Sequence, residues 1–151
     1  MARLVLAAVG DMIFASKIDG SARFAGVEVK FFRKLENLLL SAAELKPSMI
    51  VLDLNNVRFN SIEAIAKLKS NEMLKNIPVT AFLSHVQVGL RRSAEDAGCD
   101  HVMARSEFNA NLTEILSGNY VRIRKRTADL AERDTEEIVV DKVDDLKESV
   151  G

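Results

Sequence analysis

Short runs of consecutive apolar residues alternate along this chain with segments whose apolar positions recur every three or four residues. The first pattern is that of strands buried on both faces, and the second that of helices with one face turned to a core. Residues 3–9 (RLVLAAV) read as a first strand. The following segment places Phe14, Ile18, Ala22 and Ala25 on one helical face, with Asp11 suited to cap the helix and Gly26 to end it. VEVKFF is a second strand. KLENLLLSAAELKP then gathers Leu35, Leu38, Leu39, Ala42 and Leu45 on one face, and Pro47 stops the helix.

MIVLDL (49–54) is the third strand, and a third helix starts near Ser61, where Asn60 and Glu63 have capping-box spacing. IPVTAFL supplies the fourth strand, and the helix after it ends near Ala97 and Gly98. HVMA is a short fifth strand. SEFNANLTEILSG reads as one last helix, capped by Ser106, burying Phe108, Leu112, Ile115 and Leu116 and stopping at Gly118.

Five strands alternating with five helices require an α/β fold with a parallel sheet and right-handed crossovers. A domain of this size favours a doubly wound sheet of order 2-1-3-4-5, the flavodoxin-like arrangement. Its ligand crevice lies outside the carboxyl ends of strands 1 and 3. Asp11 ends the first strand and Asp53 the third, so two acids are expected to converge where this topology puts its chemistry.

The rest of the composition narrows the function classes. The 151 residues carry a formal charge of −1, so bulk electrostatics give no reason to expect nucleic acid or an anionic membrane as partner. The single cysteine, Cys99, leaves no internal disulfide and fits a reducing compartment. The start of the chain imitates a signal peptide, but Asp11 interrupts its apolar run. No segment approaches the roughly 18 apolar residues of a membrane span, so a cytoplasmic location is expected. The division expected is a domain over 1–118 and a charged, partly helical tail over 119–151. That tail holds seven Lys/Arg and nine Asp/Glu, the basic ones first. Its RIRKR run suits a solvated face or a second protomer better than a nucleic acid.

Residues 1–118 resemble the receiver domains of bacterial two-component response regulators, the CheY-like family. MIVLDLNN looks like the phosphoacceptor strand, IPVTAFLSH like the switch strand, and AGCDHVMARSEF like the segment that normally ends in lysine-proline. The resemblance implies that Asp53 stands at the phosphoacceptor position. It puts Asn55 where a backbone carbonyl would contact Mg²⁺, Asp11 as a metal-holding acid and Arg105 at the lysine position. Transfer of a phosphoryl group rests on in-line positioning and positive charge, and Mg²⁺ prefers octahedral oxygen ligands.

The match is partial. The family's paired acids at the end of strand 1 become Gly10-Asp11, and methionine-proline after the acceptor becomes Asn56-Val57. The switch hydroxyl position falls on Leu83, or on Ser84 if the strand is longer by one. The aromatic switch position holds Val102, or His101 under a one-residue shift. Ser106 replaces proline after Arg105, whose planar fork does not substitute for a compact ammonium.

The expectation is therefore a degenerate receiver, with at most weak Mg²⁺ binding through Asp11, Asp53 and Asn55. It would act through protein contacts, using the helix 4–strand 5–helix 5 face or a homodimer formed by that face or the tail. The alternatives are an active phosphorelay receiver phosphorylated on Asp53 with Mg²⁺, and a flavodoxin-like enzyme with a small-molecule site. Ser84-His85 lacks the G-x-S-x-G elbow of a hydrolase. His85 is expected at the opposite end of the strands from Cys99 and His101, which excludes a shared ion. Gly10-Asp11-Met12 offers none of the donors of a flavin phosphate loop. The phenylalanines read as core.

Overall fold

The apolar runs form the strands of one parallel sheet in the computed structural model, which describes residues 3–84 and 87–120. In chain order these residues form β1 (Arg3–Ala8), α1 (Met12–Ala25), β2 (Val27–Phe31), α2 (Leu35–Leu45), β3 (Met49–Asp53) and α3 (Ser61–Ser70). They continue as β4 (Val79–Leu83), α4 (Val88–Asp96), β5 (His101–Ala104), α5 (Arg105–Ala110) and α6 (Leu112–Ser117). The sheet order is β2-β1-β3-β4-β5, with every neighbouring pair parallel. The doubly wound order expected from the alternation is the order found.

Strand side chains alternate between two cores, because successive residues of a strand point to opposite faces. Leu6, Ala8, Ile50, Leu52 and Ala81 pack with Leu38 and Ala42 of α2, Ile65 and Leu68 of α3, and Ala94 of α4. Val5, Ala7, Val51, Phe82 and Met103 pack on the other face with Phe14 and Ile18 of α1, Phe108 of α5 and Ile115 of α6. Strands covered on both sides are apolar at nearly every position, which explains the unbroken burial of β3 and β4, where Asp53 and Thr80 are the polar members.

Helix ends follow local chemistry. The Asp11 carboxylate accepts from the backbone N–H groups of Ile13 and Phe14, relieving unpaired donors at the start of α1. Gly26 closes that helix at φ 72°, a left-handed conformation glycine adopts without a Cβ clash. Asn60 caps α3 by accepting from the Glu63 N–H, but Glu63 returns its carboxylate to the Asn60 side-chain amide, so only half of the expected box forms.

Four sequence expectations need correction. The last helix is two, α5 and α6, broken at Asn111. Its φ of −125° lies outside the helical range, and its side-chain amide donates to the Glu107 carbonyl. An asparagine that bonds back to the preceding turn competes with the helix ladder. Ser106 is not the cap: α5 starts at Arg105 behind Ala104, with no side-chain capping bond. Leu45 does not join its face of α2 in the core and remains 42% exposed beside Lys46, which turns left-handed before Pro47. The reading of the phenylalanines as core also fails at Phe24, which is 86% exposed on α1.

Tyr120 packs against the α1/α6 core, and its hydroxyl donates to Glu107 Oε2 at 2.6 Å. The expected charged tail, with its RIRKR run and tail-mediated dimer, otherwise lies outside the described residues, as does His85. No helix among the described residues is long and apolar enough to cross a membrane.

Phe82 stacks on Phe108 at 4.8 Å between ring centroids and meets the edge of Phe14 at 5.3 Å, tying β4 to α5 and α1. Phe82→Ala is expected to destabilise the domain by about 3–5 kcal/mol through lost burial and a cavity. Urea unfolding followed by circular dichroism measures it.

Candidate functional site

Parallel register brings the loops that follow β1, β3 and β5 to one edge of the sheet. Ala8 pairs with Leu52, so the residues leaving β1 emerge beside Asp53. There a cleft of about 580 Å³ opens, lined by Val9, Gly10, Asp11, Met12, Phe32 and Arg33, by Asp53 and 55–58, and by Arg105. Asp11 and Asp53 thus share one cleft, as the topology requires.

Asp53 is its floor. Only 6% of the residue is exposed, and its two carboxylate oxygens are already engaged. Oδ2 accepts from the Gly10 N–H at 3.2 Å and Oδ1 from the Asn55 N–H at 2.9 Å. These bonds fix the acid between the β1 and β3 loops and satisfy a buried anion that would otherwise be costly.

Asp11 serves two partners. One oxygen caps α1, and the other accepts from Arg105 Nη2 at 2.8 Å. The Arg105 guanidinium also lies over the Phe14 ring, 4.1 Å from its centroid, a cation–π contact. The hydrogen bond from Arg105, and then that from the Phe14 N–H, hold the Asp11 carboxyl below its ordinary pKa of 3.8. The arginine is therefore anchored on both its charge and its plane.

Two further features fill the loops. A Cβ added at Gly10 would lie 3.2 Å from Asn56 Cγ and 3.3 Å from its Oδ1, inside ordinary contact distance. The Asn56 amide thus occupies the space that a side chain at position 10 would enter, where the family resemblance expects an acid. Asn55 reaches the other way. Its Oδ1 accepts from both the N–H and the hydroxyl of Ser84, at 2.7 and 3.0 Å, and its Nδ2 donates to Gln87 at 2.7 Å. One amide clasps the β3–α3 loop to the segment between β4 and α4.

Each residue singled out in the sequence for the receiver-like site has a described position. Asp11, Asp53, Asn55 and Arg105 line the cleft. Ser84 follows the last residue of β4 and bonds Asn55, while Leu83 is buried in the core. Val102 is buried and His101 exposed. Among the described residues no three His, Cys, Asp or Glu side chains are grouped to hold a metal ion. Cys99 lies at the far end of the sheet, its thiol directed at the Val79 and His101 carbonyls and pushed up to about 12 mainly by burial.

Sequence reasoning missed Arg33, Arg58 and Gln87, and gave Asn56 no role in the site. The signal was present for the two arginines. Arg33 lies just beyond the carboxyl end of β2 and Arg58 in the loop after β3, so both belong on the ligand side of a parallel sheet.

Comparison with known proteins agrees with this architecture. No protein-family model matches the sequence, and no curated protein does. Solved structures do match. The chemotaxis response regulator CheY4 of Vibrio cholerae is 15% identical, with a TM-score of 0.68 over 80% of this chain and 100% of that one. A response regulator from Chloroflexus aurantiacus is 15% identical, with a TM-score of 0.69 over 79% and 98%. The receiver domain of a sensor histidine kinase from Pseudomonas aeruginosa, with magnesium coordinated in its active-site cleft, is 19% identical. Its TM-score is 0.68 over 78% and 97%. The chain has the fold of response-regulator receiver domains.

The Arg105 bond to Asp11 has a measurable signature. A carboxyl whose pKa is lowered on folding contributes stability above its unfolded pKa. That stability is lost as pH falls through the lowered folded value. Arg105→Gln is expected to move the Asp11 midpoint upward in a ¹³C NMR titration.

Proposed function

We propose that this chain is a degenerate receiver, a signalling module that works through protein contacts without phosphorylation at Asp53. The observation that carries the reading is the Arg105–Asp11 ion pair laid on Phe14. Phosphoryl transfer needs a free acid to hold the metal and a cation aimed at the transferred oxygens. Here the acid and the cation hold each other.

The remaining parts of such a site are engaged as well. Ser84, the nearest hydroxyl to a switch position, bonds Asn55, and Asn56 fills the space beside Gly10. Mg²⁺ would find the Asp11 and Asp53 oxygens, with the Asn55 backbone carbonyl, on this edge of the sheet. It would supply charge neutralisation for an incoming phosphoryl group. To reach Asp11 it must compete with a guanidinium, so its binding is weak. The residues fit a loosely held ion and disfavour a tightly held one.

An output without phosphorylation leaves a protein partner to read the surface. The α4–β5–α5 face is the receiver surface we assign to that contact, with Val88 exposed on it. Arg91 braces that face internally, donating to the Val102 carbonyl and pairing with Glu95.

The competing reading is an active phosphorelay receiver, and incubation with Mg²⁺ and acetyl phosphate or beryllium fluoride separates the two. We expect no Asp53-dependent change in intact mass or amide shifts at millimolar Mg²⁺. A clear response abolished by Asp53→Asn would overturn the degenerate reading.

A further inference from the structure

We propose that the cleft above Asp53 is a metal-independent binding site for a phosphorylated small molecule, with Arg33 and Arg58 receiving the phosphate. The charges lining the cleft are three arginines and two aspartates. Asp11 is neutralised by Arg105, and both oxygens of the nearly buried Asp53 accept backbone N–H bonds. Arg33 and Arg58 are exposed, and neither makes a side-chain hydrogen bond or ion pair with another described residue. Two arginines without a side-chain partner among the described residues therefore line a cleft whose acids already have partners. Planar forks match the oxygens of a phosphate monoester, and two of them match its double charge.

The walls describe the rest of the ligand. Val9, Met12, Phe32 and Val57 line the same cleft, and Met12 and Val57 are 76% and 92% exposed. Large apolar side chains left in water beside a charged cleft are suited to cover an apolar or aromatic body. The volume, about 580 Å³, is that of a small-molecule site. The class of ligand is a phosphomonoester with such a body, bound without covalent attachment. The anion stays intact, since Asp53 serves as the floor and takes no phosphoryl group.

Phenyl phosphate is the probe, titrated into the ¹⁵N-labelled full chain in EDTA, with phenol and inorganic phosphate in parallel. Saturable shifts are expected at the Gly10 and Asn56 amides and at the Arg33 and Arg58 side-chain N–H groups. Inorganic phosphate should bind more weakly, and phenol should cause no such shifts. Arg33→Gln and Arg58→Gln should each weaken binding about tenfold, the loss of one charge-assisted contact. Both positions are exposed, and the dispersion of the amide spectrum verifies folding.

Asp53→Asn removes a negative charge from the floor and should tighten binding. The same substitution abolishes covalent phosphorylation, so the sign of its effect separates this site from an acyl-phosphate one. Several results would overturn the proposal. They are an absence of saturable shifts at millimolar probe, an equal response to phenol, binding unchanged in the double arginine variant, a requirement for Mg²⁺, or loss of binding in Asp53→Asn.

Discussion

The bond between Arg105 and Asp11 joins the first and last loops at the carboxyl edge of the sheet, and the character of the cleft depends on it. The two residues are 94 positions apart, brought together because Asp11 follows β1 inside the sheet and Arg105 follows β5 at its edge, both leaving the same carboxyl end of a parallel sheet. The contact ties a helix cap to an aromatic core. Asp11 orders the start of α1, and Phe14, one turn into that helix, offers its ring to the same guanidinium. Phe14 in turn meets Phe82 and Phe108, which belong to β4 and α5. Charge at the surface is thereby fixed to packing beneath it.

That constraint changes what the edge of the sheet can do. An open pair of acids would draw a hydrated cation, whereas an acid occupied by arginine leaves the cleft with a surplus of guanidinium groups. The proposed loss of phosphorelay chemistry and the proposed gain of an anion site thus share one physical origin. The Asn55 clasp on Ser84 and Gln87 adds a second tie, from the floor of the cleft towards α4. A ligand that displaced the Asn55 side chain would loosen the segment that leads into the α4–β5–α5 face.

Much of the architecture was legible because burial demands it. Strands covered on both faces are almost continuously apolar, so 49–52 and 79–83, interrupted only by Thr80, announce themselves as β3 and β4, and the alternation with helix-period segments dictates the parallel order. The break at Asn111 was not legible. Its flanking residues keep helical spacing, and only the side-chain bond to the Glu107 carbonyl reveals the competition. In the site, Asp11 and Asp53 could be found from their places at strand ends, and Arg105 from the family resemblance. What they bond to could not. The Arg105–Asp11 contact depends on side-chain directions across 94 residues, and Asn56 entering the space beside Gly10 is a steric fact without a sequence signature.

The most direct test of this account is Mn²⁺ titration of the ¹⁵N-labelled chain and its Arg105→Ala variant. Mn²⁺ takes the same oxygen ligands as Mg²⁺ and broadens nearby amide signals. The native chain is expected to show little broadening at Gly10 and Asn55, and the variant, with Asp11 released, to show strong broadening there. Equal and tight Mn²⁺ binding by both proteins would contradict the claim that the arginine closes the site.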